Sequence, residues 1–446
     1  MAQIAPQLVE ALEGLLGSRL PFRLQAWDGS SAGAPEGPVL VLRNRRALRR
    51  LLWAPGELGL ARAYVSGDLE LGPGEDLYAV LSEVAQFVDR PEIRDLHLGP
   101  RDLTGPAGRR ALGALARVGA LGPQPALPPE EARQQGLLHS RGRDRTAISH
   151  HYDVGNDFYR LVLGPSMVYS CAYWTPQGRS LEDAQAAKLD LICRKLGLRP
   201  GQRLLDVGCG WGSLVLHAAE HYGVRAVGVS ISAEQVALAR QRVEAAGLAD
   251  RVEIRLQDYR EIPDGPYDAI SSVGMAEHVG SAQYRVYAEG LYGLLAPGGR
   301  LLNHQIARRP DQPGAAHSTS DFIDRYVFPD GELSPVGSTV ASLEEAGFEV
   351  RDVEALREHY ALTLRDWVAN LEANWAQAVR LAGRGRARVW RLYMAASALA
   401  FEENRIGINQ VLAVRTAGRG ESRLPATREQ WLVRSADPEL RVANQG

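Results

Sequence analysis

Residues Leu204 to Ser213 read LLDVGCGWGS, and they limit the fold more than any other stretch of this chain. A short apolar run leads into Asp206, and Gly208, Gly210 and Gly212 precede a helix-like LVLHAAEHYG. Glycines at the end of a parallel strand let the backbone approach a ligand closely, and the helix after them turns unpaired N–H groups toward it. A dinucleotide site would space the third glycine differently and end the next strand in an acid. Here that strand reads Val227-Gly228-Val229-Ser230-Ile231-Ser232, without a carboxylate, which argues against NAD.

The texture around this loop is strand and helix in alternation. Leu204 to Val207, Ala226 to Val229, Val252 to Arg255, Ala269 to Val273 and Arg300 to His304 are strand candidates separated by helical stretches. That spacing predicts an α/β chain with a doubly wound, Rossmann-like parallel sheet. A glycine loop without the dinucleotide acid fits the S-adenosylmethionine loop of class I methyltransferases, where the leading acid meets the polar end of the ligand. After Phe322 the chain turns helical and aromatic, and it closes on a strand-like Asn409 to Val414.

At 446 residues and 45% apolar content the chain can bury a large core in two or three domains. Residues 1–95 read as a smaller α+β domain, with an amphipathic start, alternating segments at Phe22 to Trp27 and Val39 to Leu42, and a helix over Leu77 to Val88. Lipid docking or dimer contacts are the roles open to it. Residues 96–145 are rich in glycine, proline and arginine and read as a linker, and 146–446 as the catalytic domain with a helical acyl-chain-binding insertion. A net charge of -2 gives no overall case for nucleic acid. Local clusters at Arg43 to Arg50 and Arg133 to Arg145 read either as solvated faces or as docking patches. Three cysteines imply no disulfide framework and fit a reducing cytosol, and no segment is long and apolar enough to span a bilayer.

The ligand should lie across the carboxyl ends of the strands. Asp258 stands where a carboxylate can accept from an adenine amino group, with helix capping as its rival role, while Ser232 and Gln235 offer neutral partners to a ribose. The stretch from His150 to Trp174 reads as a lid. Phe158 and Tyr159 in it suit a buried aromatic cluster, and Tyr169, Ser170 and Cys171 a lined pocket. Glu277, His304 and Tyr360 come from distant segments and can converge, although a histidine after a strand also suits a structural role. No metal site is expected.

The motifs HYDVGNDFY, VYSCAYW, LLDVGCGWG, GVSISAEQ, GMAEHVG, DRYVFPDGEL and INQVLAVR, over roughly Thr146 to Arg415, closely resemble the cyclopropane-fatty-acid synthases and mycolic-acid methyltransferases. The resemblance implies methyl transfer from S-adenosylmethionine to a cis double bond in a phospholipid acyl chain. It also implies a bicarbonate base at Cys171, Glu277, His304, Ile306 and Tyr360, and donor contacts at Tyr169, Ser170, Gly208, Ser232, Gln235 and Tyr259. The cysteine these synthases carry in the C-terminal helix aligns with Ser397, so no thiol nucleophile is needed there. The segments Gly56 to Glu70 and Leu392 to Ser397 are most similar to a subgroup that installs a 10-methylene branch on an oleoyl chain, the precursor of tuberculostearic acid.

In the implied mechanism the alkene attacks the sulfonium methyl and leaves a carbocation, for which Tyr173 and Trp174 are candidate aromatic faces. Direct proton loss closes a cyclopropane, whereas proton loss after a hydride shift leaves the methylene. Ring formation at the same double bond is thus the alternative product, and methylation of a soluble small molecule the alternative from another class. The implied setting is cytoplasmic, peripheral to the inner face of a membrane. A phospholipid surface, a second copy of the chain and a separate reductase that saturates the methylene are the partners considered, and nucleic acid is not one.

Overall fold

The computed structural model describes residues 3–91, 105–132, 154–310 and 320–432. The arginine cluster from Arg133 to Arg145 and the first residues of HYDVGNDFY fall outside them. The chain divides into two compact units, Met1–Arg133 with Ser318–Val327 and Trp375–Leu399, and Gln134–His317 with Phe328–Asn374 and Ala400–Gly446.

In the first unit the alternating segments form β1 (Arg23–Gln25), β2 (Ser31–Gly33), β3 (Val39–Leu42) and β4 (Leu69–Leu71), in the order β2-β1-β3-β4. Leu24, Leu40 and Leu42 share a core with Leu8, Leu48, Val80 and Phe87 from the surrounding helices. The helix Leu77–Val88 starts where Asp76 accepts the N–H of Tyr78 at 3.1 Å, which satisfies one of the free donors of its first turn. This unit extends beyond residue 95. The helix Pro106–Arg117 lies in the stretch expected as linker, yet its Leu115 packs on the same core. Residues Trp375–Leu399, expected with the catalytic domain, also group here.

The first arginine cluster is largely committed inside this unit. Arg50 is buried and donates to Asp68 at 2.9 Å and to the Ala126 carbonyl at 2.9 Å. Arg46 takes the other Asp68 oxygen, Arg43 pairs with Glu70, and Arg49 donates to the Gly119 carbonyl at 3.0 Å. Only part of the cluster, chiefly Arg45, is left to the solvated or docking role.

The second unit holds β5 (Arg203–Val207), β6 (Arg225–Ser230), β7 (Val252–Leu256), β8 (Tyr267–Val273), β9 (Leu295–Arg308), β10 (Glu349–Ala355) and β11 (Ile406–Val414). Their order is β10-β11-β9-β8-β5-β6-β7. β9, β8, β5, β6 and β7 run parallel, and β11 runs antiparallel to both its neighbours. The sheet is therefore mixed, a doubly wound parallel body with one reversed strand near its edge. β10, whose sequence EVRDVEA alternates charged and apolar residues, is an edge strand that the apolar runs did not announce.

Helices cover both faces of this sheet. Leu181–Leu196, Ser213–Tyr222 and Ala233–Ala245 share a core with Leu204, Ala226 and Leu302, and Ser281–Leu294 and Val336–Glu345 share one with Leu205, Val207 and Leu301. Because side chains alternate along a strand, β9 carries polar residues on both faces. Asn303 and Gln305 belong to the second face and form a bonded network there. Asn303 donates to Gln305 at 2.7 Å, Tyr284 donates to Gln305 at 2.9 Å, Tyr287 donates to Ser272 at 2.7 Å, and Gln305 donates to Thr339 at 3.0 Å. His304 points the other way, to the face of Leu302 and the helix Leu181–Leu196.

Candidate active site

A pocket opens at the carboxyl ends of β5, β6 and β8. The loop after β5 shapes it with left-handed backbone at Gly208 (φ 79°), Gly210 (φ 54°) and Gly212 (φ 81°), a conformation that side chains resist. At Gly208 there is also no room, since an added Cβ would stand 2.9 Å from Met275 Cγ. The N–H groups of Gly208 and Cys209 both reach the Val229 carbonyl at 3.0 Å, which pins the loop to β6.

Eight of the residues read from the sequence as donor contacts line this pocket: Tyr169 and Ser170 from one side, Asp206, Gly208 and Gly210 from the loop, Gln235 from the helix after β6, and Asp258 and Tyr259 from the segment after β7. Gly212 and Ser232 act one step back. Gly212 starts the helix Ser213–Tyr222, and Ser232 caps the helix Ala233–Ala245 by accepting the Gln235 N–H at 3.3 Å. Asp258 lines the pocket and also caps a short helical turn, accepting the Arg260 N–H at 3.0 Å and pairing with the Arg260 guanidinium at 2.6 Å. Asp206 is buried and accepts from Ser271 at 2.7 Å. Burial raises its pKa to about 6, against the opposing pull of Ser271 and of the Lys188 charge.

Cys171, Glu277, His304, Ile306 and Tyr360 are not on the wall of this pocket. The structure connects four of them through hydrogen bonds and one cross-strand register pair. β8 ends at Val273, so the N–H of Ile306 on β9 has no strand beside it, and Glu277 Oε1 accepts it at 2.8 Å. On the other side of β9, Ile306 is paired with Ile408 of β11, whose carbonyl accepts the N–H of Leu356 at 2.9 Å. The Leu356 carbonyl in turn accepts the Tyr360 N–H at 3.1 Å and the Cys171 thiol at 3.6 Å. His304, two residues before Ile306, shares a sheet face with Gln410, its register partner on β11.

This second cluster holds polar atoms that no described residue satisfies: Glu277 Oε2, both ring nitrogens of His304 and both amide atoms of Gln410. A buried donor or acceptor left unpaired costs about 1–3 kcal/mol, so each of these atoms calls for a partner that the described residues do not supply. Burial raises the Glu277 carboxyl to about 7 and holds His304 well below the ordinary imidazole value, helped by the positive charges of Lys188 and Lys195. The Cys171 thiol is pushed up by burial, so it is present as a neutral thiol.

Aromatic rings join the two places. Tyr169, on the pocket wall, lies 5.3 Å from the ring of Trp367, and Trp367 meets Tyr360 edge-on at 6.0 Å. Tyr360 continues to Phe401 at 4.8 Å. Phe158 and Tyr159 are fully buried, as the sequence favoured, with Tyr159 against Tyr169 and Trp211. Tyr173 is instead stacked on His359 at 4.9 Å, and Trp174 donates to the Thr363 hydroxyl and the His359 carbonyl, so the aromatic strip is made by residues other than that pair.

The family model for mycolic acid cyclopropane synthetase matches residues 139–411. The chain belongs to this family. A probable fatty acid methyltransferase of Mycobacterium tuberculosis is 45% identical over 417 residues, which cover 91% of this chain and 93% of that protein. The tuberculostearic acid methyltransferase of the same organism is 34% identical over 413 residues, covering 89% and 88%. The solved structure of a mycolic acid cyclopropane synthase complexed with SAH and CTAB superposes with a TM-score of 0.57 at 34% identity, over 60% of this chain and 97% of that one. The enzyme is thus an S-adenosylmethionine-dependent methyltransferase of lipid acyl chains on the class I fold.

The sequence reading of this methyltransferase placed His278 beside Glu277 at the active face, and it did not single out Lys188, Met275 or Gln410. Met275 sets the close approach at Gly208, and burial keeps His278, on the pocket wall, down at about 4 and hence neutral. Gln410 lies inside the quoted INQVLAVR motif, where an amide between apolar residues of a buried strand was the available signal.

Proposed function

We propose that this methyltransferase adds a one-carbon branch at the cis double bond of an oleoyl phospholipid and releases it as a 10-methylene chain. The methylene outcome is favoured by the relative named for tuberculostearic acid, which matches nearly the whole chain, the first unit included. The observation that carries the reading is the aromatic strip Tyr169–Trp367–Tyr360 running from the donor pocket to the unsatisfied polar cluster. Bound S-adenosylmethionine supplies an electrophilic methyl group, and the glycine loop with Asp206 holds its polar end. The double bond is the nucleophile, and its second carbon becomes cationic. Aromatic faces without water stabilise such a cation and keep it from being quenched.

The polar cluster fits a small oxyanion such as bicarbonate. Glu277 Oε2, His304 and Gln410 together offer both donors and acceptors, and bicarbonate bound there would supply the base that takes the proton. Neutral His304 can give one hydrogen bond and take another. Glu277, buried and anchored on the Ile306 N–H, can accept a proton at neutral pH. Whether a hydride shifts before the proton leaves decides between methylene and ring.

An acyl chain in a bilayer reaches this site only if the enzyme docks on the surface, so reversible membrane association is part of the proposal. Among the described residues no helix is long and apolar enough to cross a membrane. A separate reductase would saturate the branch. The test is to incubate enzyme, labelled donor and oleoyl phospholipid vesicles, then analyse the fatty acid by proton NMR. Exocyclic vinylidene protons are expected. High-field ring protons would make the enzyme a cyclopropane synthase, and label only in a soluble extract would overturn the lipid substrate.

A further inference from the structure

Of the 51 lysines and arginines in this chain only Lys188 and Lys195 are lysines. Both lie on the helix Leu181–Leu196, seven residues apart and so on one face, and they are 2% and 0% exposed. A chain that uses arginine for every other strong base keeps an ammonium where a compact charge is needed and a guanidinium fork does not fit. Lys195 has carboxylates, with Glu354 at 2.5 Å and Asp352 at 3.5 Å. Lys188 differs. Its Nζ donates to Ser170 Oγ at 2.8 Å, and among the described residues no carboxylate forms an ion pair with it.

Lys188 lines the donor pocket together with Asp206 and Ser170. The other basic groups on that wall are committed or neutral, since Arg260 is paired with Asp258 and His278 is kept uncharged by burial. The amino-acid end of S-adenosylmethionine carries an ammonium and a carboxylate on a single carbon. Asp206 matches the first charge, and Lys188 is the one cationic side chain described on this wall without a carboxylate partner to match the second.

We propose that Lys188 binds the amino-acid carboxylate of the donor, in a charge-assisted hydrogen bond set by Ser170, while Asp206 takes the ammonium on the same carbon. The assignment rests on the donor reading of this pocket and adds the subsite that recognises the carboxylate. Cys171, Asp206 and His304 are the titratable groups that act on Lys188 from neighbouring segments. Burial brings its pKa down to about 8 in their presence.

Decarboxylated S-adenosylmethionine differs from the donor only in the missing carboxylate, so calorimetry with the two ligands isolates this contact. The intact enzyme should bind the full donor about 10- to 100-fold more tightly than the decarboxylated one. Lys188→Met should bring that ratio close to one while leaving the affinity for the decarboxylated donor within about threefold. A variant that weakens both ligands equally and keeps the ratio would show a structural role and overturn the assignment. A second measurement follows the ratio with pH. In the wild-type enzyme the ratio should shrink as pH rises above about 8 by more than in Lys188→Met, because the ammonium of Lys188 is lost there, whereas the earlier titration of the donor's α-amine relative to the alkylamine of the decarboxylated ligand is common to both proteins. A pH dependence that is the same in the two proteins up to about pH 10 also overturns it. If the wild-type protein binds neither ligand, the donor reading itself fails.

Discussion

Glu277 accepts the backbone N–H of Ile306 at 2.8 Å in the position that the next residue of β8 would have filled had the strand continued. A buried carboxylate thus completes a parallel ladder with one oxygen and leaves the other without a partner among the described residues. Its charged form is costly, and two opposite effects of Glu277→Gln follow. The folded carboxyl titrates near 7 against 4.5 when unfolded, so its contribution is fully present below about 4.5 and is lost as pH rises through about 7. At pH 8 the glutamine variant should be more stable than wild type by on the order of 3 kcal/mol, with the difference vanishing near pH 4.5. Its turnover should fall by at least about 100-fold with donor affinity unchanged. Denaturant titrations across pH, alongside single-turnover rates, measure both. A variant with wild-type turnover would remove Glu277 from the base.

Gly208 is the loop position with the least tolerance for a side chain. Gly208→Ala meets both the positive φ and the 2.9 Å approach of Met275, so it should cost about 1–3 kcal/mol of stability and weaken donor binding by at least about tenfold. Gly212→Ala has the same φ problem but an added Cβ would be 3.3 Å from Ala239, and it should cost stability more than affinity. Calorimetry with the donor and thermal unfolding of both variants separate the two outcomes.

Trp367 lies between Tyr169 and Tyr360 and is fully buried. Trp367→Phe keeps a ring in the strip and should lower turnover modestly. Trp367→Ala should destabilise by about 3–5 kcal/mol and, at temperatures where it is folded, raise the fraction of methylated intermediate lost to water. Detection of hydroxylated branched fatty acid in the alanine variant, and its absence in the phenylalanine variant, checks the role of the strip in keeping the cation dry.

Docking on lipid is tested best at Arg45, because Arg43, Arg46, Arg49 and Arg50 have partners inside their own unit. Binding to anionic vesicles should weaken with salt, and Arg45→Ala should weaken it further without loss of stability. Arg50→Ala should instead unfold the unit more readily, since it leaves the buried Asp68 carboxylate with one fewer partner. Co-sedimentation at low and high salt, with melting curves, distinguishes docking from internal bracing.

The parallel strands, β11 as a strand and the glycine loop were legible because each is a buried apolar run or a backbone requirement written in glycine, whereas the reversed direction of β11 emerges only from its pairing with β9 and β10. β10 was not, since its outward residues are charged and only its pairing with β11 makes it a strand. The arginines from Arg43 to Arg50 look like a surface patch in sequence, yet Asp68, Glu70 and two carbonyls far along the chain engage four of the five. Lys188 and Gln410 were invisible for a related reason. A polar residue inside an apolar segment declares itself only when the fold shows what lies opposite it.

β9 separates its two sides by hydrogen-bond saturation. On one side Asn303 and Gln305 are locked to Tyr284, Tyr287 and Thr339, and on the other His304 stays available for whatever binds there. A shift of the strand by a single residue would exchange the locked set for the reactive one, and both would be ruined. For anyone redirecting the product of this enzyme, the strand is therefore a ready-made insulator. On the proposed mechanism the histidine side is where substitutions would retune the fate of the cation, and the asparagine side is the anchor that keeps each variation in place.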